Sequence, residues 1–169
     1  MGSDFIPEIS KVEYSKLKEA RDASALYEYL CQPLHEQLYK KQDFNYVDEL
    51  SEIQQLIITY DYVKMQVLQG GFIQLIQNGY VLLLPSLHDL LQKVGATGMA
   101  QVIDDALKVY VLNRELLDKE YSVDDFAKLY VELTEFEDID NRFSLHHLPT
   151  INTILLYAEQ NMEKVALLT

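Results

Sequence analysis

The sequence predicts an all-α fold, a compact multi-helix domain of about seven helices with one break at a pair of adjacent glycines. Three observations carry this reading. Apolar residues recur every three to four positions along most of the chain. No stretch alternates apolar and polar residues as a half-buried strand would, and no internal repeat is visible. Only 6 Gly and 4 Pro punctuate 169 residues, which leaves little room for long irregular tracts. With 49% hydrophobic and 11% aromatic residues, the chain has the material for a core.

The elements follow in order. From Ile9 to about Gln32, Val12, Leu17, Ala20, Leu26, Tyr27 and Leu30 keep helical spacing, and Pro33 is the expected break or kink. His35 to Lys41 reads as a short helical piece, and "KQDFNY" as a connection. Asp48 to Leu68 is expected as a long helix, with Leu50, Ile53, Leu56, Ile57, Tyr60, Val63 and Val67 on one face. Gly70 and Gly71 then end it, because one of them can take the left-handed conformation that turns the chain sharply. Phe72, Leu75 and Ile76 give the restart its own apolar stripe, which Asn78-Gly79 closes.

Pro85-Ser86 precede "LHDLLQKVG", a short helix stopped by Gly95. Thr97 is the candidate N-cap of the next helix, whose stripe is Met99, Val102, Ile103, Ala106, Leu107 and Tyr110. Ser122 and Asp125 form a capping-box pattern ahead of a helix expected to reach about Phe136 through Phe126, Leu129, Tyr130 and Leu133. A final helix is expected near Pro149-Thr150, using Ile151, Ile154, Leu155, Ala158, Met162 and Val165. Residues 1–45 read as an N-terminal helical segment and 46–169 as the acidic helical domain proper. The pattern leaves open whether the two share a core.

Charge is the strongest global feature. There are 27 acidic residues against 14 basic, a net of −13. Such a surface repels nucleic acid and anionic lipid and favours basic partners; it also serves solubility alone. The densest stretch runs from Asp118 to Asp140. It holds nine acids, Asp118, Glu120, Asp124, Asp125, Glu132, Glu135, Glu137, Asp138 and Asp140, against Lys119 and Lys128, a local net of −7. On one continuous helix, Asp125, Lys128, Glu132 and Glu135 would share an outward stripe. Two readings follow: a solvated face helped by i,i+4 pairs, or a row of carboxylates standing where phosphates stand along a duplex.

Other chemistry finds little support. The histidines His35, His88, His146 and His147 form no ligand pair at metal spacing, and one cysteine makes no thiolate zinc site. In "EFEDIDNRF", counting from Asp138, Arg142 and Phe143 stand where a calcium loop needs a ligand and a glycine. Cys31 lies in an apolar helical run, and no GxSxG or GxxxxGK[ST] motif occurs. The sequence therefore predicts no catalytic residues, no metal and no cofactor, with an enzyme of unrecognised pocket kept as an alternative. The uncharged run at Val81 to Leu84 is too short for a membrane span, and the N-terminus carries Asp4 and Glu8 in place of a signal peptide. Met1-Gly2 lacks a Ser or Thr at the position of Ile6, as a myristoylation signal would require. A lone Cys31 fits a reducing cytoplasm.

The amides Gln69, Gln74, Gln77 and Asn78 around the glycines have two readings, either as partners for backbone groups freed by the break or as a polar patch for a partner or a dimer. This segment also carries a resemblance. Gly70-Gly71-Phe72, Gln74, Leu75-Ile76 and Asn78, with "VGATGMAQVIDDAL" (94–107) and "FEDIDNRF" (136–143), resemble the signature of the DNA-mimic-protein family of small acidic bacterial proteins. Gln66 stands where that pattern has a glutamate, Gln69 replaces its asparagine, and Leu75-Ile76 replace an aromatic pair. The resemblance covers about Asp48 to Phe143. It implies an all-helical, often dimeric protein that occupies the DNA-binding face of a basic protein. The expected partner is thus a basic DNA-binding protein, engaged through the nine acids above, with no direct binding of nucleic acid or membrane. The alternative partner is a basic toxin neutralised by the same electrostatics.

Overall fold

The computed structural model of the protein describes residues 5–169, so Met1-Gly2 and Asp4 lie outside it. The fold is essentially all-α. The helices are α1 (Lys11–Glu19), α2 (Ala23–Lys41), α3 (Glu52–Gln77), α4 (Leu84–Lys93), α5 (Thr97–Leu112), α6 (Arg114–Leu117), α7 (Val123–Glu132) and α8 (Glu135–Gln160). Seven of these are substantial and α6 is a single turn. Short 3₁₀ turns span Phe44–Glu49, Val81–Leu83 and Met162–Lys164. Two two-residue strands, β1 (Glu8–Ile9) and β2 (Leu167–Leu168), pair in parallel. No single helix among the described residues is long and apolar enough to cross a membrane.

The chain forms two compact units. One holds the described residues up to Asp61 together with Leu148–Thr169, and the other holds Tyr62–His147. The helices α3 and α8 supply residues to both.

In the first unit, the expected helix from Ile9 to Gln32 is two helices. Ser10 caps α1, its hydroxyl accepting from the Glu13 N–H at 3.2 Å. Arg21 then turns left-handed at φ 55°, and the Asp22 carboxylate caps α2 by accepting from the Ala25 N–H at 3.0 Å. Neither Gly nor Pro marks this break. Pro33, by contrast, does not end its helix. Leu30 and Cys31 before it and Leu34 and Leu38 after it are all buried. That packing outweighs the roughly 3 kcal/mol a mid-helix proline costs. So His35 to Lys41 is the last part of α2, which ends at left-handed Gln42. Tyr27 is fully buried, donates to the Ile57 carbonyl at 2.5 Å and meets the edge of Tyr60.

In the second unit, α4 packs on α5, burying Leu84, Leu87 and Leu91 of one and Met99, Val102, Ile103 and Ala106 of the other. Gly95 takes φ 83° between them, as its position after the short helix suggested. Thr97 is the first helical residue rather than the cap; Ala96 holds that position, with no side-chain hydrogen bond. Ser122 does cap α7, accepting from the Asp125 N–H at 3.3 Å and donating to its carboxylate at 3.1 Å. The helix stops at Glu132, four residues before the expected end, and Leu133-Thr134 separate it from α8. The final helix begins at Glu135 and runs through Pro149, with Thr150, Ile151 and Ile154 buried beyond the proline.

Candidate functional site

The glycine break is where the second unit is most tightly specified. Helical backbone continues through Gly70, departs at Gly71 (φ 78°, ψ −178°) and resumes at Phe72. A residue at positive φ inside a helix interrupts the hydrogen-bond ladder and frees backbone groups that need partners. Two distant helices provide them. The Tyr130 hydroxyl on α7 donates to the Gly70 carbonyl at 2.6 Å, and the Phe72 N–H donates to Asp140 Oδ1 on α8 at 2.9 Å. A Cβ on Gly71 would lie 2.2 Å from Asp140 Oδ2, so the carboxylate occupies the space that only glycine leaves. Phe72 is fully buried beyond the turn and meets the edge of Phe143 at 5.8 Å.

The amides bridge the break from side chain to side chain, tying Gln66 and Gln69 before it to Gln74 and Asn78 after it. Gln74 Nε2 donates to Gln66 Oε1 at 3.2 Å and to Gln69 Oε1 at 3.0 Å, and Asn78 Nδ2 donates to Gln66 Oε1 at 2.8 Å. Gln77 donates to the Leu117 carbonyl at 2.5 Å. Of these five amides, Gln66, Gln69, Gln74 and Asn78 partner one another and Gln77 partners the backbone. Gln66, at the position of the glutamate in the resembled pattern, supplies an acceptor oxygen, which either side chain can do.

Asp140 therefore has a different place from the one expected. It is half-buried and turned to the Phe72 N–H, not aligned with an outward acidic face. Burial pushes its carboxyl up to about 6, and the Phe72 hydrogen bond opposes this. The sequence held a signal for this placement: Asp140 lies four residues after Phe136 and three before Phe143, both buried, and so on the inward stripe of α8. The role of Tyr130 was missed for lack of such a signal, because its position also suits plain packing.

The other eight acids are exposed. Asp118 accepts from the Tyr110 hydroxyl at 2.6 Å and faces Arg114 at 3.6 Å. Asp125 pairs with Lys128 at 3.2 Å; hydrogen bonds from Lys128 and Ser122 hold its carboxyl below the usual range. Asp138 lies 3.8 Å from Arg142, which also binds Asp105 at 2.8 Å. Burial pushes the Asp105 carboxyl up, but the hydrogen bonds from Arg142 and Gln101 outweigh it and the net shift is downward. Among the described residues, Glu120, Asp124, Glu132, Glu135 and Glu137 have no ion-pair partner. The expected single stripe of Asp125, Lys128, Glu132 and Glu135 is divided, because α7 ends at Glu132 and Glu135 opens α8. Glu135, Glu137 and Asp138 instead fill the first turn of α8, where carboxylates offset the positive end of the helix dipole.

Among the described residues no cluster of three or more His, Cys, Asp or Glu is arranged to hold a metal ion. The first unit has an open groove of about 290 Å³ floored by Leu17, Leu26 and Leu155, with the Lys18–Glu159 ion pair at its rim.

No curated protein matches the chain. Comparison with known protein families matches residues 48–161, about two thirds of the chain, to the DMP19-like protein family. The matched region contains the glycine break, the tyrosine and aspartate that hold it, and the whole acidic stretch, and the chain belongs to the DMP19-like protein family.

Proposed function

We propose that the chain is a non-enzymatic acidic interaction protein, a DNA mimic that occupies the DNA-binding face of a basic protein. The observation that carries this reading is the set of five exposed carboxylates with no ion pair among the described residues, Glu120, Asp124, Glu132, Glu135 and Glu137, clustered within eighteen residues of chain. The family supports the same direction. Unneutralised surface carboxylates raise the local negative potential, which speeds encounter with a cationic partner and repels DNA itself. Glu132, Glu135 and Asp124 carry no structural hydrogen bond that the fold needs, so they are the positions to reverse.

The test measures binding of purified DNA-binding proteins from the native cell to wild type and to Asp124→Lys/Glu132→Lys/Glu135→Lys, over a salt series and with duplex DNA as competitor. The expected complex weakens with salt, since screening shortens the field to about 8 Å at physiological ionic strength. DNA displaces it and the triple reversal removes it. A partner that DNA does not displace, but that salt and the reversal do, would instead fit a basic toxin. A partner indifferent to all three would overturn the reading.

A further inference from the structure

The acidic helix is not acidic all round. On α7, Phe126 and Leu129 turn inward together with Leu133 just beyond the helix end. The opposite side carries two adjoining rows. One is Asp124, Lys128 and Glu132; the other is Val123, Ala127 and Val131, spaced i, i+4 and i+8. Val123 is 87% exposed and Val131 77% exposed. Two β-branched apolar residues on a solvent row contribute nothing to helix propensity and cost solubility. They are the least expected residues beside a row made of Asp124, Lys128 and Glu132.

We propose that this row is the apolar ridge of the docking face, and that its occupant is a basic amphipathic helix of the partner, with apolar side chains seated on Val123, Ala127 and Val131 and Lys or Arg at its borders. The proposal rests on the acidic-docking reading above. Charge selects the occupant. A second copy would set this acidic stretch, of local net −7, against an identical one, and an anionic membrane would be repelled in the same way. A cationic segment gains from Asp124 and Glu132 on one flank while its apolar face covers the valines. Charge then sets the rate of encounter, and the ridge sets how long the complex lasts.

Two synthetic peptides test this against the full chain. One is a helix of roughly 20 residues with a leucine face bordered by Lys and Arg; the other has equal length and charge with glutamine in place of every leucine. The amphipathic peptide is expected to bind about tenfold tighter, because two seated valines supply a modest apolar burial. Val123→Ser/Val131→Ser should erase that difference and leave the glutamine peptide's affinity unchanged; both positions are exposed, and circular dichroism checks that the helices persist. Equal affinities, or a difference that survives the double variant, would overturn the ridge while salt-sensitive binding of both peptides leaves the acidic docking intact. Binding of neither peptide would overturn both. Self-association of the free protein that disappears in the double variant would also overturn the proposal, by assigning the row to a second copy.

Discussion

The two units carry almost the same net charge and distribute it differently. Residues 1–61 with 148–169 hold 14 acids and 7 bases, a net of −7; residues 62–147 hold 13 acids and 7 bases, a net of −6. In the first, acids and bases are interleaved, as in the α1 segment KVEYSKLKE, and the ion pair Lys18–Glu159 joins two of its helices. In the second, Asp118 to Asp140 accounts for −7, and the remainder of the unit is +1. Net charge alone cannot locate a docking face, because both units are acidic. What differs is whether neighbours neutralise one another within a Debye length.

The comparison breaks most visibly under charge reversal. Glu19→Lys/Glu28→Lys/Glu49→Lys in the first unit changes total charge as much as Asp124→Lys/Glu132→Lys/Glu135→Lys in the second, and all six positions are exposed. Only the second set should weaken partner binding by about a hundredfold or more. Equal losses in titrations of the two variants would mean that bulk charge, not placement, governs association.

A smaller effect concerns how each unit turns its chain. Arg21 manages a left-handed residue with an ordinary side chain, whereas Gly71 has Asp140 in the space of its missing Cβ. Gly71→Val should therefore cost about 2–3 kcal/mol, from strain at positive φ and displacement of the carboxylate. Gly70→Ala should cost less, because Gly70 keeps helical backbone; its Cβ would still meet Gln74 Oε1 at 1.9 Å and Gln74 Cβ at 2.9 Å, so Gln74 must shift from its amide partners. Thermal unfolding of both variants separates them, and equal midpoints would remove the distinction.

Next comes pH. The Asp140 carboxyl is raised from 3.8 to about 6, so the fold favours its protonated form. The stability from this group is full below its unfolded value and lost as pH rises through about 6. Asp140→Asn keeps an acceptor oxygen for Phe72 and has nothing to titrate. Urea midpoints of the variant should vary less between pH 4 and 7 (roughly the window these values define) than those of wild type. Parallel profiles would show that another group sets the dependence. The smallest expected change is Ser122→Ala, which removes the α7 cap and should cost about 1 kcal/mol in a chemical denaturation series.

Much of this was legible because the signals are local. Gly71, Gly95 and Ser122 act on their immediate neighbours, and helical spacing identified the buried stripes of α3, α5 and α7. Prolines misled twice, both times in the first unit, since a proline's penalty is local whereas the burial that overrides it at Pro33 and Pro149 is tertiary. The break at Arg21 escaped for the opposite reason: an αL arginine followed by an aspartate cap needs no punctuating residue. In the site, exposure of the acids followed from composition and position. The partners of Asp140 and Tyr130 did not, because they lie 68 and 60 residues away along the chain.

Those separations also bear on the order of folding. Each arm of α3 forms from contacts within a few residues, on a timescale of about a microsecond or less. The grip on Gly70 and Phe72 waits until loops of 60 and 68 residues close. Tyr130 and Asp140 are thus expected to join the glycine break after the helices exist, on the native side of the barrier. Weakening them with Tyr130→Phe should accelerate unfolding and leave refolding nearly untouched, as stopped-flow chevrons would register. The bend in α3 is then a joint that stays slack while the chain assembles and tightens last.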